Sequence, residues 1–274
     1  MSIIIISSDS YGIGRDMAKS TAEAMGYDFL GREILGRVTV KYEIPEERLI
    51  KALEEYPSFF GKSLKLWNRH LAYIQEAVMS DLLKDNLVCQ GLAAHLYVLG
   101  VSHALRVHIL SDAEESVRQL VSQEGISTEK ARKRFNREKK RRRRWSMEAF
   151  NLDETDPSQY DLVISLSKID PDEAVKLIGE TISYRRFKPM TYSIKCIHDI
   201  ELAARVRAAL LERFPDVRVH ASSGVVVVKT TALKREKKKR MNIIREIAGG
   251  IQGVEYVEVH VINDFFRQSA ESFR

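Results

Sequence analysis

Four consecutive isoleucines, Ile3-Ile4-Ile5-Ile6, run directly into the polar, glycine-bearing stretch 7–14 and then into a helical pattern. An unbroken apolar run of this kind suits a strand buried on both faces, as in a parallel sheet with helices on either side. Residues 15–25 place Met17, Ala18, Thr21, Ala22 and Met25 at helical spacing, and Gly26 follows where a helix would end. The chain therefore opens as strand, loop and helix, and an α/β fold is the expectation.

The alternation continues. Residues 27–30 read as a short second strand, and Leu87-Val88-Cys89, 105–110 and 161–165 as further strands. Between them, 46–56, 66–83, 93–99, 114–123, 126–144 and 171–182 read as helices, with the aromatic stretch 57–62 joining the first two and Asp170 placed to cap the last. Strands alternating with helices predict a parallel sheet flanked by helices over residues 1–183. The pattern breaks around Arg185, Arg186, Lys188 and Pro189, and the domain boundary is placed there. Residues 195–262 have another rhythm: helix 200–214, strands 217–221 and 224–230 about the turn Ser222-Ser223-Gly224, helix 237–248 ended by Gly249-Gly250, and strand 254–261. That α-β-β-α-β order predicts a small α+β domain, with helices on one face of a mainly antiparallel sheet. Residues 263–274 are left as a C-terminal tail.

With 274 residues, 44% of them hydrophobic, the chain can fill two cores. No apolar run approaches the roughly 20 residues of a membrane-spanning helix, and the isoleucines lack the basic flank of a signal peptide. The two cysteines, Cys89 and Cys196, lie in apolar segments without metal-ligand spacing, so a reduced, cytoplasmic protein is expected. The seven histidines form no sequence cluster that reads as a metal site, and His108, within a strand, reads as a packed residue. Net charge is +6, with much of the excess in residues 130–144 and 234–240. Such runs fit a polyphosphate ligand, a nucleic acid, or simply a solvated helix. Trp145, beside the first run, reads as a base-stacking residue or a packing residue.

Chemistry points to Ser10-Tyr11-Gly12-Ile13-Gly14-Arg15-Asp16. A glycine-bearing turn between strand and helix can aim backbone N–H groups at an anion, with the positive end of the helix dipole behind them. A basic side chain at its end can neutralise outer phosphates. The usual phosphate-loop form is GxxxxGK[ST], whereas here Asp9 replaces the first glycine, Arg15 the lysine and Asp16 the hydroxyl residue. Spacing alone leaves a phosphate loop and an ordinary strand-to-helix turn both open.

The stretch from Ile3 through Ala18, continued by Ala22-Glu23-Ala24-Met25-Gly26-Tyr27, resembles the start of the cytidylate-kinase-like family, whose members commonly carry SREYGSGGREIA followed by a helix and LGY. Leu87-Val88-Cys89-Gln90-Gly91-Leu92-Ala93 is similar to the family's VIVGRGA, Leu105-Arg106-Val107-His108-Ile109 to LRVFI, and Tyr160-Asp161-Leu162-Val163-Ile164 to YDLVI. Residues 139–145 stand in place of its arginine-rich lid, taken as about 130–146. The resemblance implies a P-loop kinase fold and phosphoryl transfer from ATP, with Mg²⁺, to a nucleoside monophosphate, CMP or dCMP first. It implies that Ser10, Tyr11, Gly12, Ile13, Gly14, Arg15 and Asp16 hold ATP phosphates and that Arg15 stands in for the lysine. It also implies that Arg137, Arg141, Arg142 and Arg144 close over the reacting phosphates, with Gly91 and Arg144 at the acceptor. The sequence departs from the family at Leu92, where an arginine is expected to grip the acceptor phosphate, at Gln90, where cytidylate kinases place an acid, and at Gly31, where many relatives have one. A nucleotide-binding sensor without turnover is the second reading, and a basic nucleic-acid-binding protein the third.

The C-terminal stretch, from Ile200-Glu201-Leu202-Ala203-Ala204-Arg205-Val206 through Gly224-Val225-Val226-Val227-Val228 to Ile251-Gln252-Gly253-Val254-Glu255-Tyr256-Val257, resembles a BON domain. The resemblance implies a regulatory module that binds a lipid, another small ligand or a protein; a plain docking or dimerising role is the alternative.

Overall fold

The computed structural model describes residues 2–57, 61–84 and 86–263. The isoleucine run forms β1 (Ile3–Ser8). Alternation along the strand sends Ile3 and Ile5 into one core and Ile4 and Ile6 into another, all four without solvent exposure. β1 pairs in parallel with β3 (Leu87–Gln90) and β4 (Ala104–Leu110), while β2 (Asp28–Leu30) and β5 (Leu162–Ser165) complete a parallel sheet of order β2-β3-β1-β4-β5. This five-stranded sheet flanked by helices is consistent with a P-loop kinase.

One face of the sheet is covered by α1 (Tyr11–Met25), through Met17, Ala18 and Ala22, and by α8 (Pro171–Ser183), through Ala174, Ile178 and Ile182. Asp170 occupies the N-cap position of α8 with extended backbone, but its side chain makes no capping bond. The other face carries α2 (Ile34–Tyr42), α3 (Glu46–Glu54), α4 (Gly61–Leu82), α5 (Ala94–Tyr97) and α7 (Thr128–Phe150), the last packed beside α6 (Ala113–Glu124). The expected joining stretch 57–62 lies partly outside the described residues, and α4 already begins at Gly61.

α7 is tied down where α3 ends. A helix leaves its last carbonyls without intrahelical partners, and here side chains from two other helices supply them. Trp67 of α4 and Trp145 of α7 both donate their indole N–H to the Ala52 carbonyl, at 2.9 and 2.8 Å, and Arg142 donates to the Leu53 carbonyl at 3.0 Å. Trp145 is fully buried, edge-on to Trp67 and tilted against Phe150. It is a packing residue, not a surface for stacking a base.

The remainder of the chain comprises α9 (Thr191–Leu211), β6 (Arg218–Ser222), β7 (Val225–Ala232), α10 (Lys237–Gly249) and β8 (Tyr256–Asn263). β6 and β7 are joined by Ser223-Gly224, both with positive φ (50° and 78°), the conformation that suits a two-residue hairpin turn. The sheet is mixed, not mainly antiparallel, because α10 carries the chain back over it and β8 pairs parallel to β7. The α9 helix begins at Thr191, well ahead of the expected residue 200. Its Ile197, Ala204 and Ala208 enter the core of the large sheet, and its Leu202, Val206 and Leu210 that of the small one. Residues 264–274, most of the expected tail, lie outside the described residues. Among the described residues, no helix is long and apolar enough to cross a membrane.

Candidate functional site

The carboxyl ends of β1, β3 and β4 gather at one edge of the sheet, the edge where open α/β folds bind their ligands. The expected loop 7–14 is shorter in the structure. β1 runs to Ser8, only Asp9 and Ser10 intervene, and Tyr11 to Gly14 are wound into the first turn of α1, closed by the Gly14 N–H on the Ser10 carbonyl at 2.9 Å. Ser10 holds extended N-cap backbone and its side chain caps nothing, so the N-cap residue does not compete for the N–H groups of the first turn. They point from the positive end of a 15-residue helix. Gly14 is needed for close approach: a β-carbon there would lie 2.7 Å from the Ser8 β-carbon and 3.4 Å from Gln90 Nε2. Any side chain at this position would push the helix start off the strand ends. At Gly12 a β-carbon would meet nothing.

Arg15 follows on the same turn, partly exposed, with its guanidinium 3.4 Å from Glu33. Asp16 faces solvent. Arg32, just past β2, lies over the Tyr11 ring at 4.0 Å and bonds Glu54 at 2.7 Å. Arg32 is not among the residues expected from sequence, although a basic residue directly after the second strand is a visible signal. At Gly31, where the resemblance led to an acid being expected, a β-carbon would lie 2.4 Å from Glu33 Oε2 and 2.8 Å from the Phe29 ring, so a side chain there would require both to shift.

The Gly91 region is strained. Gly91, Leu92 and Ala93 all adopt positive φ (66°, 57° and 60°), which costs roughly 1–2 kcal/mol at each non-glycine residue. This left-handed turn points Leu92 into the core, 5% exposed, and starts α5 so that His95 lies under the sheet edge.

A second feature was not legible at all. Parallel register sets Ser7 of β1 beside His108 of β4. Tyr160 stacks on His108 at 4.6 Å and on His95 at 5.4 Å, and donates its hydroxyl to the Glu154 carbonyl at 2.8 Å. Glu154, buried, takes a 2.6 Å bond from Arg142, and its carboxylate lies 3.6 Å from His95 Nε2. Neither ring nitrogen of His95 finds a hydrogen-bond partner among the described residues, nor do His108 Nδ1, Glu154 Oε1 or, on the α1 side of the sheet, Gln90 Oε1. Burial, reinforced by Arg142, pulls His95 down to about 3, so it is neutral at physiological pH. Burial also lowers His108, with nearby Asp9 opposing and Lys139 and Arg142 assisting. Burial pushes the Glu154 carboxyl up against the pull of Arg142. Asp9 is itself committed, accepting the Ser111 N–H at 2.9 Å. The packed reading of His108 holds, but it packs within a polar cluster drawn from four separate stretches of chain.

The four expected lid arginines lie on one continuous helix and divide in use. Arg142 is held by Leu53 and Glu154. Arg141 approaches Glu55 at 3.7 Å, and Arg144 lies over the Tyr56 ring at 5.4 Å. Arg137 is exposed and pairs with no acid among the described residues. The fold thus sets the α1 turn, Arg15 and Gly91 at the edge where β1 and β3 end. Arg144 and Arg141 are turned toward the segment after α3. Among the described residues, no group of three or more His, Cys, Asp or Glu is placed to hold a metal. The oxygens nearest the α1 turn in sequence, Ser8, Asp9, Ser10 and Asp16, are hard ligands of the kind Mg²⁺ uses alongside nucleotide phosphates.

No curated protein matches the chain. Among solved structures, it is similar to an uncharacterized protein from Eubacterium ventriosum (18% identity, TM-score 0.49, covering 68% of this chain and 100% of that one). It is also similar to shikimate kinase from Bacteroides thetaiotaomicron (11%, 0.42, 67% and 99%) and dephospho-CoA kinase from Campylobacter jejuni (14%, 0.38, 66% and 98%). All three have TM-scores below 0.5, and family membership rests on sequence. Residues 3–168, more than half of the chain and ending before the C-terminal unit, match the cytidylate kinase-like family, and the chain belongs to that family.

Proposed function

We propose that the protein transfers a phosphoryl group from ATP to a nucleoside monophosphate, with CMP or dCMP as the acceptor. The observation that carries this reading is the α1 start: a 15-residue helix whose N-cap side chain makes no capping bond, pressed onto the strand ends by Gly14 and followed at once by Arg15. In this reading the N–H groups of Tyr11, Gly12 and Ile13 and the Arg15 guanidinium take the ATP phosphates, and Mg²⁺ arrives with the nucleotide. The acceptor's phosphate oxygen attacks the γ-phosphorus and ADP leaves, so the work of the protein is positioning and charge neutralisation. Arg137, exposed on α7 and without an acidic partner among the described residues, is the lid residue that would move onto the transferring group, and Arg141 and Arg144 would join it by leaving weak contacts. Arg142 would act from its fixed place beside Glu154. Arg32, on the mouth of the site beside Tyr11, takes over the grip on the acceptor phosphate that Leu92 cannot provide. The C-terminal unit, BON-like in sequence, would serve as a regulatory or docking module.

A second reading, a nucleotide-binding sensor without turnover, is favoured by one observation: the Leu92 side chain is committed to the core. A coupled ADP-release assay with Mg-ATP and a panel of nucleoside monophosphates separates the two. Turnover on CMP or dCMP, with Arg15→Ala losing it and Arg32→Ala raising the acceptor KM, supports the transferase. ATP binding without turnover on any acceptor supports the sensor, and no ATP binding overturns both.

A further inference from the structure

A cavity of about 350 Å³ lies away from the α1 turn, between α9, β6 and the middle of α4, where the two cores meet. Its wall holds a guanidinium that makes no ion pair among the described residues. Arg207 donates to Gln75 Oε1 at 3.0 Å and pairs with no carboxylate among the described residues. A guanidinium stays protonated under all ordinary conditions, so a poorly solvated one without a partner is costly. Burial accordingly pulls Arg207 downward, opposed by Tyr97, which is itself kept neutral by burial. Lys195 and His220 add further donors to the same wall. The single acid there, Asp199, is engaged by the Ser223 N–H at 2.7 Å. Ile200, Ala203 and Val219 line the rest with hydrocarbon.

We infer that this cavity is a second ligand site, for a small organic anion whose phosphomonoester head meets Arg207 and Lys195 and whose apolar body lies on Ile200, Ala203 and Val219. The volume is at the small end for ligand pockets, and a junction between structural units is a common place for one. The same head could come from a soluble metabolite or from a lipid. A ligand bound there would touch α4 and β6 at once and so bridge the large sheet's layer and the small domain.

The test is calorimetric titration of the full chain carrying both Arg15→Ala and Arg32→Ala, which weaken the ATP-phosphate and acceptor-phosphate grips of the first site, with inorganic phosphate, with CMP, and with vesicles containing phosphatidic acid. Saturable binding of any probe is expected, weakened about tenfold or more by Lys195→Glu and abolished by Ala203→Trp, which fills the cavity. Lys195 is exposed, so its replacement leaves folding intact should the tryptophan variant misfold. Vesicle binding alone assigns the head to a lipid, and phosphate or CMP binding assigns it to a soluble ligand. No saturable binding of any probe, or binding that Lys195→Glu leaves unchanged, overturns the inference.

Discussion

Replacing His95 by phenylalanine should flatten the acid dependence of stability. His95 is 2% exposed, stacked on Tyr160, and held at about 3 against an ordinary value of 6.5. Below pH 6.5 the unfolded chain binds a proton that the folded chain refuses, so stability is complete above that value and falls as pH drops toward the folded value. Each pH unit across that window costs up to about 1.4 kcal/mol, which puts the loss for His95 near about 2 kcal/mol between about pH 7 and about pH 5. His70, held at about 4 by burial beside Arg69 and Arg48, adds a loss of the same sign. Glu154 works the other way, because its raised carboxyl is most favourable to the fold when protonated. The difference between variant and parent therefore isolates His95, whereas the absolute slope does not. Urea unfolding followed by fluorescence is well suited, since both tryptophans, Trp67 and Trp145, are buried. The parent should lose about 2 kcal/mol more than His95→Phe on going from about pH 7 to about pH 5. Equal losses in the two proteins would show that His95 is not held neutral and would refute the account of the cluster.

Gly14→Ala should gain about 1 kcal/mol of helix propensity but lose about 1–3 to overpacking against Ser8, a net loss of at most about 2 kcal/mol, while ATP affinity, by calorimetry, falls tenfold or more. Trp67→Phe and Trp145→Phe each leave the other indole on the Ala52 carbonyl, so the double variant should cost about 1–2 kcal/mol beyond the sum, measured by circular dichroism in urea. In the small domain, Asp216 accepts from Thr230, from the backbone and hydroxyl of Thr231, and from Arg240. Burial would raise its carboxyl, but those bonds hold it low. Asp216→Ala should cost about 2 kcal/mol and Asp216→Asn less, read from urea midpoints.

The large sheet was legible because its strands are short, continuous apolar runs, and burial on both faces leaves no other use for Ile3 to Ile6 or Leu87-Val88-Cys89. The start of α1 was not, since Gly12 and Gly14 are poor helix formers and read as a loop. The contact of Gly14 with Ser8 and Gln90, invisible in one dimension, makes the helical turn the better fit. The α9 helix escaped for a related reason. A helix that buries opposite sides in two different cores has no single apolar stripe, so only its second half showed a helical pattern. Arg15 and Gly91 could be proposed as site residues from motif order. His95, Tyr160 and Glu154 could not, because their meeting depends on the register of β1 with β4 and on the strained turn at Leu92. The basic run likewise did not reveal that Arg142 and Trp145 close the end of α3.

Phosphoryl transfer itself is read by a single-turnover experiment with ATP labelled at the γ-phosphate, Mg²⁺ and CMP, with products separated by chromatography. Label should appear in CDP with the native chain and vanish with Arg15→Ala, while His95→Phe, which lies behind the α1 turn, retains transfer. Label that remains in ATP, or that passes to CDP equally well without Arg15, would contradict the proposed transfer through Arg15.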